Sequence, residues 1–262
     1  MRFLLNLQSA SADTGNKCVN GIVKIMELPI LYEDTDVVAI AKPAGLITHS
    51  DGRTEEATAE DWFIEHYGAG SIEAPTGYVH RLDRDTSGVL VFAKNTEAYT
   101  FLRKAFHDRE VKKTYLAFVY GVPKQKKGVI DFDIGRSRSD FRLRSAQPKA
   151  KGRLREALTR FTVVGETPDY SLIKTEPETG RTHQIRVHLK AIHHPIIGDK
   201  LYAPNKELAL GLTRLGLHAY AIDLPLPGGS RVNIVAPLPE DLLSAFRSFP
   251  LVEGEFALGK NA

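Results

Sequence analysis

The chain has 262 residues, 42% of them hydrophobic, which suffices for one large domain or two small ones with a sizeable buried core. No apolar run approaches the roughly eighteen residues of a membrane-spanning helix, and residues 1–7 are too short for a signal peptide, which predicts a cytoplasmic protein. The single cysteine, Cys18, excludes a disulfide framework and a cysteine-based zinc site.

Charge is distributed unevenly along the chain. The formal net charge is only +3, but residues 103–160 hold 17 Lys and Arg against 6 Asp and Glu, a balance of +11. Clustered positive charge is typical of a surface that binds a polyanion, and a solvated basic face has the same composition. The charge therefore favours a nucleic-acid partner without establishing one.

The first predicted elements follow an N-terminal extension. Residues 1–28 have no sustained period, and we expect them to lie outside a main domain of residues 29–250. The apolar run 37–41 predicts a short strand that ends in a turn at 42–45. A helix capped by Thr54 is expected next, with an apolar stripe formed by Ala59, Trp62, Phe63, His66 and Tyr67.

The middle of the chain predicts alternating strands and helices. Residues 88–93 are typical of a buried strand, and Asn95 opens a second amphipathic helix. Residues 114–120 predict another strand. The basic segment 133–155 has little periodicity, so we expect a loop and a weak hairpin outside the core.

The last third predicts two strands, 158–164 and 170–175, and then a helix over 182–193. Residues 251–262 are expected to form a C-terminal tail. Strands with only occasional helices argue for an α+β domain around a mostly antiparallel mixed sheet, flanked by helices and loops.

The loop before the strand 88–93 concentrates charge, since residues 80–88 are HRLDRDTSG. Asp83 and Asp85 could form the carboxylate pair of a glycosidase. However, Arg81 and Arg84 would hold either carboxylate ionised, which suits a nucleophile or a base better than an acid. A surface ion-pair cluster around a tight turn would have the same residues.

Two further motifs bear on chemistry. Residues 179–184, TGRTHQ, open a predicted helix with a glycine and an arginine, which is a plausible phosphate site. The histidines that follow, at 183, 188, 193 and 194, lack the spacing of a metal site, so no bound metal is expected. The kinase loop is also excluded, because a leucine interrupts H-R-D and no glycine-rich loop occurs.

Three motifs in this order resemble those of the RluA-type pseudouridine synthases: HRLDRDTSG at 80–88, KKTYLA at 112–117 and TGRTHQIRVHL at 179–189. The resemblance extends from about residue 30 to residue 249. It implies the pseudouridine synthase fold and an isomerase that converts uridines of ribosomal or transfer RNA to pseudouridine. It further implies a reaction that needs no metal or organic cofactor. We expect a monomer that does not bind a membrane and has no obligate protein partner.

The resemblance also implies the site residues. Asp83 would be the catalytic aspartate, either attacking the ribose or removing a ribose proton, with Arg186 holding it ionised. Tyr115 would stack on the uracil and take the carbon 5 proton. The target base must leave its stack, and Arg81 would fill the gap. Further RNA contacts are expected from His80, Lys42, Lys112, Lys113, Arg181, His183 and Gln184.

The chain departs from the family pattern at residues 131–136, DFDIGR, and at Leu143 and Arg144. These positions bear on RNA contact, so the target uridine is not predicted. The first 28 residues are too few for the small RNA-binding domain common in relatives, and the catalytic domain with its basic segment is expected to recognise RNA. The alternative is a non-catalytic protein on the same fold that binds RNA or assists its folding.

Overall fold

A computed structural model of the chain describes residues 27–50, 52, 55–68, 77–137, 143–146 and 150–252. Four helices lie in these residues: α1 (Ala59–Tyr67), α2 (Thr96–His107), α3 (Gln184–Ala191) and α4 (Glu240–Phe246). The same residues form twelve strands: β1 (Ile30–Glu33), β2 (Val37–Lys42), β3 (Ser87–Ala93), β4 (Lys112–Tyr120), β5 (Lys127–Asp131), β6 (Ile134–Ser137), β7 (Arg144–Ala146), β8 (Ala150–Arg155), β9 (Leu158–Glu166), β10 (Tyr170–Pro177), β11 (Leu217–Pro225) and β12 (Arg231–Val235).

Nine strands form one mixed sheet in the order β1-β2-β3-β11-β4-β10-β9-β5, with β12 paired to β11. The β3–β11 pair is parallel, and the other neighbours are antiparallel. The predicted α+β class with a mostly antiparallel mixed sheet is therefore confirmed. None of the described helices has the length and apolar content needed to cross a bilayer.

The strand β3 is buried at all seven positions, as its apolar sequence predicts. Successive side chains point to opposite faces of a sheet, so Val89 and Val91 enter a core cluster with α2, whereas Leu90 and Phe92 pack with α1. Because helices cover both faces, this strand shows no polar alternation. The loop that precedes β3 is thereby anchored to the most buried strand of this half of the sheet.

Both predicted helices in the first half of the chain are present, with one corrected boundary. Thr58, not Thr54, caps α1, and its side chain and Asp61 form a reciprocal capping box. Thr54 itself lies outside the described residues. The predicted apolar stripe is confirmed at Ala59, Trp62 and Phe63, which are buried, but not at His66, which is exposed. The helix α2 begins after Asn95, whose side chain accepts the Ala98 N–H.

The basic segment forms a second, three-stranded sheet in the order β7-β6-β8, which we call the small basic sheet. The predicted hairpin is present as the antiparallel β6–β7 pair, but the expected loop is wrong at β8, which adds a third strand. The segment has few apolar residues of its own, and it buries them against partners from elsewhere in the chain. Its Ile134 and Ala146 form a core cluster with Ala157, Val187 and Tyr202. The outer strand β8 stays exposed along most of its length.

The predicted extension and tail lie mostly outside the described residues. At the start of the described chain, Leu28 is buried beside α1, so the core reaches at least one residue into the predicted extension. At the other end, Leu251 and Val252 are exposed. The proposed domain limits stay predictions.

Candidate active site

A cleft of about 690 Å³ collects all three motifs of the sequence analysis. Asp83 comes from the loop before β3, Tyr115 from β4 and Arg186 from α3, and each lines the cleft. Only β11 separates β3 from β4 in the sheet, which brings the first two motifs together. Residues 103 positions apart in the chain thus meet at one site.

Backbone hydrogen bonds hold the loop that carries Asp83. The Thr86 N–H donates to the Asp83 carbonyl at 3.1 Å, which closes a tight turn. One residue along, the Arg84 carbonyl accepts from the Gly45 N–H at 2.9 Å and from the Lys42 ammonium at 3.0 Å. On the other side of Asp83, the Thr48 hydroxyl donates to the Leu82 carbonyl at 2.9 Å. The carboxylate is therefore presented by a loop with a defined backbone.

The end of this loop requires glycine. Gly88 has φ +119°, which L side chains rarely adopt, and a Cβ there would lie 2.2 Å from the Ala219 carbonyl oxygen. The close approach arises from the short parallel pairing of β3 with β11. Gly88 thus allows the loop to enter the sheet next to the cleft.

Asp83 and Arg186 form the predicted ion pair, with Arg186 Nη1 donating to Asp83 Oδ2 at 3.2 Å. A second carboxylate, Asp199, accepts from Arg186 Nε at 2.9 Å and from Nη2 at 2.8 Å. Burial opposes the charge of Arg186, but Asp199 and then Asp83 raise its pKa above the ordinary value. The arginine is therefore a fixed, permanently charged donor beside the Asp83 carboxylate.

Tyr115 packs where two core clusters meet beside the cleft. Burial and the negative charge of Asp83 both raise the pKa of its phenol. The phenol is therefore protonated in the free protein. Its ring offers an apolar face next to the carboxylate.

Three predicted RNA contacts use their polar groups to bond the protein. Lys42 is 1% exposed, and its ammonium donates to the Pro43, Leu46 and Arg84 carbonyls. Burial lowers the pKa of Lys42 to about 7, against the opposing charges of Asp83 and Asp85. The three acceptors match the three donors of the protonated form. Lys42 thus holds the loop and offers no surface to RNA.

Gln184 and His80 line the cleft, but they too bond protein groups. Gln184 is 4% exposed, and its amide bonds Thr179, Arg181, Leu158 and Thr159, which satisfies both its oxygen and its nitrogen. Because the Arg181 N–H is used here, the predicted phosphate-binding turn is partly closed. His80 Nε2 accepts the Val91 N–H at 3.1 Å, and burial together with Lys113 lowers its pKa to about 3. His80 is therefore neutral.

The two adjacent lysines of β4 lie on different faces of the strand. Lys113 lines the cleft with Tyr115, whereas Lys112 is exposed and lies outside the lining, as strand alternation requires. Arg181 also lines the cleft, with its Nε donating to the Glu156 carbonyl at 2.9 Å. Arg81 is exposed at the cleft and contacts the His49 ring at 3.4 Å, not Asp83 or Asp85.

The glycosidase interpretation is not supported by the position of the second carboxylate. Asp85 is exposed and does not line the cleft that contains Asp83. Within the part of the chain that the structure describes, no three His, Cys, Asp or Glu side chains form a group that could hold a metal ion. His188 and His194 instead bond protein groups, among them the Phe132 and Tyr120 carbonyls.

Two residues beside Asp83 were not singled out from the sequence. Asp199 holds Arg186, and Tyr202 bonds His183, whose Nε2 lies 3.8 Å from Asp83 Oδ2. Asp199 belongs to the stretch HPIIGD that extends the family resemblance, which is the one signal that could have drawn attention to it. Tyr202 carries no such signal, because its role depends on packing between distant segments.

Comparison with known proteins agrees with this arrangement. A family model described as RNA pseudouridylate synthase matches residues 36–191. An uncharacterized RNA pseudouridine synthase of Bacillus subtilis, YhcT, is 36% identical over 251 residues, which cover 95% of this chain and 76% of that protein. The ribosomal large subunit pseudouridine synthase D of Nitrosomonas europaea is 38% identical over 233 residues, covering 85% of this chain and 66% of its own length.

A similar domain occurs among solved structures. Human RNA pseudouridylate synthase domain containing 4 matches with a TM-score of 0.68 and 28% sequence identity. The match covers 84% of this chain and 92% of the human one. The mixed sheet and its flanking helices are thus those of an RNA pseudouridylate synthase domain.

Proposed function

We propose that this chain, which belongs to the RNA pseudouridylate synthase family and is an isomerase, converts selected uridines of ribosomal or transfer RNA to pseudouridine. Asp83 is the proposed catalytic carboxylate. The observation that carries the proposal is the Asp83–Arg186 ion pair at 3.2 Å in a cleft that also holds Tyr115. The reaction breaks the N-glycosidic bond, turns the uracil and rejoins it through carbon 5. No metal or organic cofactor takes part in the proposed reaction.

Asp83 has to be ionised for the first step. Attack on the anomeric carbon and removal of a ribose proton both require a carboxylate rather than a carboxylic acid. Arg186 supplies a permanent positive charge to that carboxylate, even beside the phosphates of a bound RNA. Either route regenerates the free carboxylate before carbon 5 loses its proton.

Tyr115 has two parts in the proposal. Its ring stacks on the uracil while the base is detached from the ribose. Because burial and Asp83 raise the pKa of the phenol, it can take the carbon 5 proton only if its own proton leaves at the same time. The regenerated Asp83 carboxylate is the acceptor that we propose for that proton.

The RNA has to expose its base before this chemistry. The target uridine must leave the stack at a cost of about a few kcal/mol. Arg81 is an exposed cation at the cleft with no carboxylate partner in the described residues, so its planar guanidinium can stack in the gap. Lys113 and Arg181 line the same cleft and are the proposed phosphate contacts.

Large-subunit ribosomal RNA is the substrate that we would test first. Two relatives, 38% and 32% identical to this chain, carry the name ribosomal large subunit pseudouridine synthase D. The small basic sheet adds exposed positive charge that suits a structured RNA. We therefore propose a cytoplasmic enzyme that acts on ribosomal RNA as a monomer.

The test is tritium release from transcripts of large-subunit ribosomal RNA and of transfer RNA made with carbon-5-tritiated uridine. Wild-type protein should release tritium, and Asp83→Asn should lower the rate by at least ~10³-fold while still binding RNA. Asp85→Asn is the matched control, because it changes a carboxylate of the same loop outside the cleft. Full activity in Asp83→Asn would show that Asp83 is not the catalytic residue. If the wild type binds RNA but releases no tritium, the non-catalytic alternative is favoured.

A further inference from the structure

The turn at residues 198–203 lies behind the partners of Asp83. It follows α3 in the chain and packs closely on the segment that leads to β11. Gly198 has φ +74°, and a Cβ there would lie 2.1 Å from the Arg214 carbonyl oxygen. The Ala203 N–H donates to the Asp199 carbonyl at 2.8 Å, which closes the turn. The side chains of Asp199 and Tyr202 are thereby directed from a rigid backbone.

Asp199 fixes the orientation of the Arg186 guanidinium. Its carboxylate accepts Nε and Nη2 in a bidentate pair, and its Oδ1 also accepts the N–H groups of Leu201 and Tyr202 at 3.0 Å each. Asp199 is only 2% exposed, so solvent does not compete for these bonds. With two nitrogens held in this way, Nη1 is directed at Asp83.

Tyr202 has the corresponding role toward His183. Its hydroxyl oxygen accepts the Arg144 N–H at 3.0 Å and lies 2.8 Å from His183 Nδ1. A hydroxyl has one proton to donate, and here His183 Nδ1 is the remaining acceptor. Burial lowers the pKa of His183, which keeps the ring neutral. The neutral ring then carries its proton on Nε2, the nitrogen that lies 3.8 Å from Asp83 Oδ2.

Backbone strain indicates that these contacts hold His183 in place. His183 has φ +59° and ψ 20°, the left-handed region, and its side chain makes no capping bond to α3. Such a conformation is unfavourable for a residue other than glycine, so the surroundings must maintain it. The ring meets Tyr202 edge-on at 5.6 Å, and the Arg186 guanidinium lies 5.1 Å from the Tyr202 ring centroid.

We propose that the turn 198–203 is a positioning element of the active site, in which Asp199 holds Arg186 and Tyr202 holds His183, so that both direct an N–H at the Asp83 carboxylate. Asp199 and Tyr202 are positioning residues, since neither contacts the reacting atoms. The same turn connects the site to the small basic sheet, because the Arg144 N–H belongs to β7. The inference rests on the proposed function of Asp83.

The decisive variant is Tyr202→Phe, which keeps the ring and removes only the hydroxyl. We expect the single-turnover rate of tritium release to fall about tenfold with little change in KM, because the carboxylate loses an oriented donor but RNA contacts are intact. Lys200→Ala is the control within the turn, since Lys200 is exposed and is expected to leave the rate unchanged. A rate within twofold of wild type for Tyr202→Phe would overturn the proposed role of Tyr202.

A double variant separates positioning from a general loss of folding. His183→Asn removes the ring, and asparagine tolerates the left-handed backbone. If Tyr202 acts through His183, adding Tyr202→Phe to His183→Asn should lower the rate less than twofold further. An equal tenfold fall in both backgrounds would mean that the hydroxyl acts elsewhere, and the proposal would be wrong.

Asp199→Asn tests the other half of the element. We expect the single-turnover rate to fall at least about tenfold, with KM unchanged and a cooperative thermal transition retained. Wild-type protein is assayed on the same transcripts, and its inactivity would overturn the proposed function and this inference together. If the wild type is active and both Asp199→Asn and Tyr202→Phe release tritium at the wild-type rate, the proposed function stands. The turn is then rejected as a positioning element.

Discussion

The wall of the cleft around Asp83 and the small basic sheet use charge in opposite ways. In the wall, Arg186 is nearly buried and bonds two carboxylates, and behind the loop of Asp83 the ammonium of Lys42 donates to three carbonyls. On β8, the side chains of Lys151, Arg153 and Arg155 are exposed and form no ion pair with any described residue. The charges of Arg186 and Lys42 are engaged by protein groups, whereas the three cations of β8 face solvent.

This difference separates reaction rate from RNA affinity. Buried, hydrogen-bonded charges keep their geometry before the substrate arrives, which is what stabilises a transition state. Exposed cations have no fixed partner, so they contribute mainly by number, through the counterions that they displace from RNA. Substitutions in the wall should therefore change the rate at saturating RNA, and substitutions on β8 should change binding and its salt dependence.

The largest effect is expected from Arg186→Lys. The charge is kept, but an ammonium cannot reproduce the fork that spans Asp199 and Asp83. We predict that the single-turnover rate falls about 10²-fold while KM changes less than threefold. Tritium release under single-turnover and steady-state conditions measures both.

Arg84→Lys is the matched control, because Arg84 neighbours Asp83 in the loop but forms an exposed ion pair with Glu56. It should have nearly the wild-type rate. If Arg186→Lys mainly raised KM, the comparison between the two regions would fail, since the buried arginine would then act in RNA binding.

The local elements of this fold could be predicted because their signals are local. The apolar run of β3 and the Asn95 cap of α2 are readable within a few residues. The pairing of Asp83 with Arg186 came from the family resemblance, since nothing in either segment alone indicates a partner 103 residues away. Strand alternation separates Lys112 from Lys113, and it places Lys113 on the same face as Tyr115, two residues further along β4.

The features that could not be predicted depend on burial by distant segments. Lys42 resembles a surface cation in the sequence, and the Arg84 carbonyl, 42 residues away, makes it a support of the loop. The small basic sheet has too few apolar residues to reveal its strands, because Val187 and Tyr202 complete its core. In each case the deciding neighbours come from another part of the chain.

A smaller effect, confined to binding, is expected on β8. The double variant Arg153→Ala with Arg155→Ala should weaken RNA binding about tenfold and leave the single-turnover rate at saturation unchanged. If both cations contact phosphates, the slope of log affinity against log salt should become shallower by about 1.4 to 1.8. Filter binding across a salt series measures the slope.

Lys206→Ala with Arg247→Ala removes two exposed charges elsewhere and serves as the charge-matched control. It should leave the slope within experimental error of wild type. An equal loss of slope in both double variants would mean that the overall charge, rather than the small basic sheet, determines RNA affinity.

The smallest effect tests a residue between the two extremes, Lys113. It lines the cleft, but its one hydrogen bond among the described groups is a long one, 3.5 Å to the Thr179 carbonyl. Burial and then Arg109 lower its pKa to about 8. Below that pH the ammonium is charged and can pair with a phosphate, and as pH rises through about 8 the charge is lost. RNA affinity should therefore fall about three- to tenfold between pH 7 and pH 9.5.

Lys113→Arg should flatten this pH profile, because a guanidinium stays charged, whereas Lys112→Arg should leave it as in wild type. The unfolding free energy, measured over the same pH range, distinguishes titration of Lys113 from unfolding of the protein as the cause of the affinity loss. A lysine with a lowered pKa in the folded state binds fewer protons than in the unfolded chain, so its contribution to the unfolding free energy rises with pH between about 8 and 10.5. If affinity falls while the unfolding free energy rises, the loss of binding reflects titration of Lys113 and marks it as an RNA contact in the cleft. A pH profile that Lys113→Arg leaves unchanged would instead give Lys113 a structural role like that of Lys42.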